Sequence, residues 1–267
     1  MGMDLKSPVI VTALYDIGRD KWENFTQSYG GYIHWMERTL SLDSNIVIYT
    51  ESKFYEEIKS YRIKYDPNLS KTIFVIEELE DLMIFKLYNG KLENLMYSNN
   101  FINKIQFNVP EMNKPLYNVI MFNKVFWLKH CVDNKFFNND MVIWADAGGL
   151  REPLKEYESI VWPDLKKINE ISSDKIIFFS HNKNFNIDNN EWYSLSQIRN
   201  IQGTAFMVPS HMINWFCEKF TETIDESIQN NFIGSDEKIL DITYLKDKSN
   251  YHLIECTWRE YFKIFKT

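Results

Sequence analysis

"NNDMVIWADAGGLRE", residues 138–152, holds the pattern that decides the fold. The mostly apolar run Met141 to Trp144 leads straight into a lone acid, Asp146. Ala147, Gly148 and Gly149 follow, so the chain beyond the acid carries almost no side chain. A short apolar run closed by turn residues reads as a buried strand. Other such runs occur along the chain. "PVIVTALYD" (8–16) is a β-branched run ending at Asp16. "NIVIYTE" (45–51), "KTIFVIEE" (71–78), "DKIIFFSH" (174–181), "TAFMVPS" (204–210) and "NYHLIE" (250–255) read as further strands.

Helical patterns alternate with these runs. They cover 20–40, with Gly30-Gly31 as a weak point, and 52–64, opened by Ser52 as N-cap. They continue at 79–98, with a break at Asn89-Gly90, and at 113–132, with Pro115 near the first turn. The last two are 211–228, capped by Ser210, and 235–246. Segment 182–203 is the longest irregular stretch and is rich in Asn, a length typical of lids and binding loops. Strands alternating with helices imply an α/β sheet, parallel at least in its first half. In such sheets ligands sit beyond the carboxyl ends of the strands. Asp16 and Asp146 both fall there, on one edge of the sheet.

The chain of 267 residues fits one large domain. Its net charge of −7 and lack of a basic block argue against a nucleic-acid partner, which needs clustered Lys and Arg. Cys131, Cys217 and Cys256 are far apart and odd in number, which reads as buried free thiols in a reducing compartment. The first residues carry an acid and a proline before a short apolar run, with no export signal. No stretch approaches a membrane span, so the expected location is cytoplasmic.

Individual residues allow two readings each. Asp146 suits a divalent cation, with the small residues admitting a phosphate or sugar, or it caps a turn for which the glycines supply positive φ. Lys124 lies on an apolar helix in line with Leu116, Ile120, Trp127 and Cys131. It meets an anion or snorkels to water. Gln202, Gly203 and Thr204 line a ligand or form a plain strand start. Asp236 and Glu237 act on substrate or complement a helix dipole. His252 is a ligand or a structural histidine. The C-terminal "TWREYFKIFKT" alternates basic with aromatic residues, which suits an anionic membrane surface through 258–266 or a last helix packed on the domain.

The order of these features resembles glycosyltransferases of the GT-A fold. More narrowly, "VTALYDIGR" (11–19), "YNVIMFNKVFWLK", "WADAGG" and "QGTAFMVP" resemble the HtrL/YibB family of bacterial proteins, over about Val11 to Leu245. The resemblance implies a GT-A-like (Rossmann-like) α/β domain over 1–267, with a mixed, mostly parallel central sheet flanked by helices. Residues 1–150 would form the nucleotide-binding half and 151–267 the acceptor-side half. It implies transfer of a sugar from a nucleotide-sugar donor to a hydroxyl of a surface-polysaccharide or lipid-linked glycan; with the cytoplasmic location expected above, contact through 258–266 would place the protein at the inner face of the membrane. A strand-end Asp-x-Asp would hold Mn or Mg. Here Gly148 replaces its second acid, which leaves Asp146, with His252 as a second ligand. Asp16, Arg19, Lys124, Gln202, Gly203 and Thr204 would then bind the nucleotide sugar, and Asp236 or Glu237 would serve catalysis. The alternatives are a sugar nucleotidyltransferase, against which the single glycine in "YDIGRDKW" counts, and a non-catalytic nucleotide-sugar or glycan-binding module, which the missing acid favours and the acids retained at three separate positions oppose.

Overall fold

The computed structural model describes residues 7–105, 108–171, 174–194 and 199–266. The expectations placed on the first six residues, on the last one and on 195–198 of the long loop lie outside that description. Seven strands form one sheet: β1 (Val9–Leu14), β2 (Asn45–Thr50), β3 (Thr72–Ile76), β4 (Met141–Ala145), β5 (Ile176–Ser180), β6 (Ile201–Pro209) and β7 (Tyr251–Glu255). Their order is β3-β2-β1-β4-β6-β5-β7. β6 runs antiparallel to both of its neighbours, and the other strand pairs are parallel. The sheet parallel in its first half expected from the alternation, and the mixed, mostly parallel sheet implied by the resemblance, are both observed.

The helices are α1 (Tyr29–Leu40), α2 (Ser52–Arg62), α3 (Met83–Met96), α4 (Asn99–Ile102), α5 (Pro110–Asn113), α6 (Pro115–Asp133), α7 (Leu165–Ile171), α8 (Ile213–Gln229), α9 (Asp236–Lys246) and α10 (Tyr261–Ile264). They cover both faces of the sheet. Successive strand residues point to opposite faces. Val9 and Val11 of β1, Val142 and Trp144 of β4, and Phe206 and Val208 of β6 pack with α3, α6 and α8. Ile10, Ile143, Ala205 and Met207 pack with α1, α2 and α10 on the other side. Burial on both faces explains why β1, β2, β4, β5 and β6 read as unbroken apolar runs, while the edge strands β3 and β7 are half-buried.

Several local expectations are corrected. The 20–40 helix begins only at Tyr29, because Ser28 caps it there by accepting from the Gly31 amide; a separate turn of 3-10 helix holds Arg19–Lys21. Ser52 is the first helical residue and Glu51 stands at the cap position. Ser210 opens a 3-10 turn, and α8 follows it. Of the cysteines, Cys131 and Cys217 are buried and Cys256 is half-buried, and all three are free thiols. The C-terminal aromatics face inward, with Tyr261, Phe262 and Phe265 buried in the α1–α2 layer, so this segment packs on the domain. Among the described residues no helix is long and apolar enough to cross a membrane.

α3 runs unbroken through Asn89-Gly90. A Cβ on the exposed Gly90 would meet nothing within 4 Å. Gly90→Ala is expected to stabilise the protein by about 0.5–1 kcal/mol, since alanine has less chain entropy to lose on entering a helix. A rise in the urea midpoint at unchanged slope checks this.

Candidate functional site

β1 and β4 are parallel neighbours, so both present their carboxyl ends to the same edge. β6 runs the other way, and its start rather than its end reaches that edge. Ala205 pairs with Ala145, and the Asp146 amide donates to the Thr204 carbonyl at 2.9 Å. This antiparallel strand is what brings Gln202, Gly203 and Thr204 beside Asp146.

Lys124 projects from α6 beneath this junction and is 2% exposed. Its ammonium lies 2.7 Å from Asp236 Oδ2, 2.9 Å from Asp146 Oδ1 and 2.9 Å from the Gly203 carbonyl oxygen. An ammonium has three protons to donate, and three acceptors take them. Burial alone would lower the Lys124 pKa, but the two carboxylates outweigh it and hold it well above the usual lysine range. Asp236 stands at the first position of α9, buried behind the lysine. Asp146 is more open, with 31% of its side chain exposed. Its Oδ1 also accepts from the Trp144 indole at 2.7 Å. Burial raises the Asp146 pKa; Lys124 opposes that shift and Asp236 adds to it, leaving the carboxyl above its ordinary value.

The open side of Asp146 faces a cavity of about 240 Å³. Arg19, Arg151, Thr204 and the rings of Tyr29, Tyr32, Tyr117, Trp144 and Trp258 line it. Arg19 is aimed by the turn that leaves β1. Asp16 accepts from the Gly18 amide at 2.8 Å, and the Tyr29 hydroxyl accepts from the Ile17 amide at 2.7 Å. Gly18 supplies the φ of +72° that this turn needs. Burial would raise the Asp16 pKa, but Tyr29, Lys53 and the Gly18 amide bring it down to about 2. Asp16 is thus a buttress beside the cavity, paired with Lys53 at 2.9 Å. The Arg19 guanidinium donates to the Tyr32 hydroxyl. Arg151 donates to the Gly148 carbonyl, and its guanidinium lies 3.4 Å from the centre of the Trp35 ring. Burial lowers the Arg151 pKa, and crowding by Arg259, Arg19 and Arg38 lowers it further against the pull of Tyr32. Like charges crowded beside a cavity are relieved by an anion inside it.

The glycines after Asp146 do not supply positive φ; among the described glycines only Gly18 does. A Cβ on Gly149 would come within 2.8 Å of the Tyr261 hydroxyl and 2.9 Å of Thr204 Cγ2, and one on Gly148 within 3.2 Å of Arg151 Nη2. The side chains are missing because neighbouring side chains use the space.

Not every expected residue reaches the cavity. Gln202 is buried and donates its amide to the Cys256 carbonyl. Asp236 stands behind Lys124. Glu237 pairs with Arg199 at 3.2 Å, and its pKa is raised by burial and by Asp236. None of the three lines the cavity. His252 is level with Ile177 on β5, hence with Met207 on β6 and Ile143 on β4. It lies three strand spacings from β4, on the order of 14 Å, and short of the carboxyl edge. The expected metal pair of Asp146 and His252 is therefore not brought together. Among the described residues no cluster of three His, Cys, Asp or Glu could hold a metal ion. With Gly148 in place of a second acid, His252 three strands away and an ammonium on Asp146 Oδ1, the donors expected for a resident divalent cation are not assembled here.

Arg151, Tyr32 and Tyr117 were not singled out from the sequence. Tyr117 could have been, since it shares a helix face with Ile120, Met121 and Lys124 at spacings of three, four and seven. Arg151 stood in the opening stretch itself, but nothing local shows that α1 brings Tyr32 and Trp35 to it.

The start of β6 is pinned by Asp241 of α9, buried and accepting from the Ile201 amide at 2.8 Å and the Asn200 amide at 3.0 Å. Burial outweighs these bonds and pushes its pKa up to about 7. The folded protein then keeps a proton that the unfolded chain releases near pH ~4. The stability this group contributes is full below that value and is lost as pH rises through about 7. Urea unfolding across this window should show stability falling by up to about 1.4 kcal/mol per pH unit, and Asp241→Asn should flatten the slope.

Similar solved structures include mouse xyloside xylosyltransferase 1 in its apo form, 9% identical over 94% of this chain and 88% of that chain, with a TM-score of 0.45. Another is the galactosyltransferase LgtC in complex with donor and acceptor sugar analogues, 9% identical over 92% and 72%, TM-score 0.46. A third is 4-diphosphocytidyl-2C-methyl-D-erythritol synthase from Anaerococcus prevotii DSM 20548, 13% identical over 93% and 88%, TM-score 0.43. Likeness at these scores carries no argument about activity. No curated protein matches the chain. The sequence model of the HtrL/YibB family, described as bacterial protein of unknown function, matches residues 6–267, and the chain belongs to that family.

Proposed function

We propose that the protein is a glycosyltransferase whose nucleotide-sugar donor sits in the cavity at the ends of β1 and β4. One observation carries this reading: a single aromatic-walled cavity holds two guanidiniums, Arg19 and Arg151, and the half-open carboxylate of Asp146. Two guanidiniums suit a diphosphate, which gains negative charge as it leaves a sugar. A carboxylate suits the positive charge that builds at the anomeric carbon as that bond breaks. The aromatic rings offer faces to a nucleoside base and to a sugar ring. Thr204 lines the sugar side. Asp236 acts through Lys124, holding Asp146 in place. The acceptor is a hydroxyl of a glycan, of the surface-polysaccharide or lipid-linked kind, reaching the donor from the open side. A cytoplasmic location supplies nucleotide sugars.

Calorimetric titration with a panel of nucleoside diphosphate sugars, followed by a donor-hydrolysis assay, tests this. At least one donor should bind. Asp146→Asn should keep that binding and lose on the order of 10²–10³ in turnover. Wild-type turnover should fall as the pH drops through the raised Asp146 pKa, because the ionised carboxylate is the active form. Binding without any turnover favours a binding module. Failure of every donor to bind, or an Asp146→Asn enzyme as fast as wild type, sinks the proposal.

A further inference from the structure

We infer that Lys124 is the resident cation of this site, standing where a divalent metal would be needed to hold the strand-end acid, so that the donor diphosphate is bound without a metal. The inference rests on the reading of the cavity as a nucleotide-diphosphate site. Three observations support it. The first is position: the ammonium bridges Asp146 at the end of β4 and Asp236 at the start of α9, and touches the Gly203 carbonyl between them. Those are oxygen donors of the kind a hard cation seeks, and the chain has filled the gap among them with its own positive charge.

The second is saturation. All three ammonium protons are taken by protein oxygens, so Lys124 has none left for a ligand and works by fixing Asp146. Asp146 Oδ1 is shared by this ammonium and the Trp144 indole, which leaves a metal only Oδ2 of a carboxylate that has Gly148 where a second acid would stand. The third is the charge balance. Asp146 and Asp236 carry two negative charges; Lys124, Arg19 and Arg151 carry three positive ones. The site is already biased toward an anion. In a metal-dependent site the acids stay net negative until the ion arrives. Here the two guanidiniums, both in contact with the cavity, take over the diphosphate.

Two measurements on the whole protein test this. The first is electron paramagnetic resonance of Mn²⁺ titrated with wild type and with Asp146→Asn. The second is calorimetry of uridine diphosphate and guanosine diphosphate binding, in EDTA and in Mn²⁺. The free Mn²⁺ signal should be the same for both proteins. The nucleotide affinity should agree within about twofold between EDTA and Mn²⁺. Mn²⁺ binding by wild type that Asp146→Asn abolishes would overturn the inference. So would nucleotide binding that weakens about tenfold or more in EDTA. If neither nucleotide binds in either condition, the manganese signal alone decides on the lysine, and the donor panel decides separately on the cavity.

Discussion

Gly203→Ala should unfold this protein roughly 10 °C earlier than wild type and abolish donor binding. A Cβ at this position would lie 2.2 Å from Asp236 Oδ2 and 2.8 Å from Asp236 Cγ. Neither group has room to yield. Asp236 is buried and held by Lys124 at 2.7 Å. β6 is tied on one side to β4 through the Ala205–Ala145 pair and on the other to β5. Overpacking of this kind costs about 1–3 kcal/mol. Pushing Asp236 off Lys124 adds part of the roughly 3–5 kcal/mol of a broken buried ion pair. Calorimetric melting and a donor titration measure the two effects. Gly90→Ala makes the same chemical change with the opposite sign, because the methyl group there enters open space.

Lys124→Ala should be as severe at neutral pH and should carry its own pH signature. The change leaves two carboxylates at one buried junction with no cation between them. Breaking a buried pair in this way costs roughly 3–5 kcal/mol. Lys124 is what opposes the rise of the Asp146 pKa, so its removal drives that pKa further above the unfolded value. A raised carboxyl pKa gives stability that is full below the unfolded pKa and is lost as pH rises through the folded one. The variant should therefore recover stability on acidification relative to wild type, where the ammonium compensates the acids. Unfolding of both proteins at about pH 5 and about pH 8 reads the difference. Equal losses at the two pH values would mean that the lysine contributes packing alone.

The five inner strands are legible because burial on both faces leaves an apolar run with sharp ends, and the edge strands β3 and β7 through their β-branched and aromatic residues. All seven runs read as strands became strands, and β6 began earlier than expected, at Ile201. That extension was hidden because Gln202 and Gly203 look like a loop. They are in the strand because Asp241, forty residues on, binds the Asn200 and Ile201 amides. The helix expected at 20–40 starts later, at Tyr29, for the opposite reason. Ser28 is a cap readable in retrospect, but Asp20 to Gln27 carry enough polar and aromatic residues to mimic a first turn.

The site was legible in part. Asp146, Lys124, Gly203 and Asp236 were all marked from the sequence, and the structure joins them in one cluster. Their bonding was not legible, because a lysine on an apolar helix gives no sign of which acid it meets across the sheet. His252 was misplaced because strand order is not written in the sequence: a late strand was free to sit next to β4 and sits instead at the sheet edge. The two guanidiniums make the same point. Arg19 stands out in "DIGR", whereas the role of Arg151 depends on α1 laying Tyr32 and Trp35 beside it.

The most direct test of the cavity as the nucleotide-sugar site is a crystal structure of the protein with a nucleoside diphosphate sugar that binds in the calorimetric panel. The diphosphate should lie against the Arg19 and Arg151 guanidiniums, with the sugar toward Asp146 and Thr204. The Lys124 ammonium should keep its bonds to Asp146 and Asp236. A ligand seated away from β1 and β4, or one in the cavity with both guanidiniums turned away from its phosphates, would contradict this account.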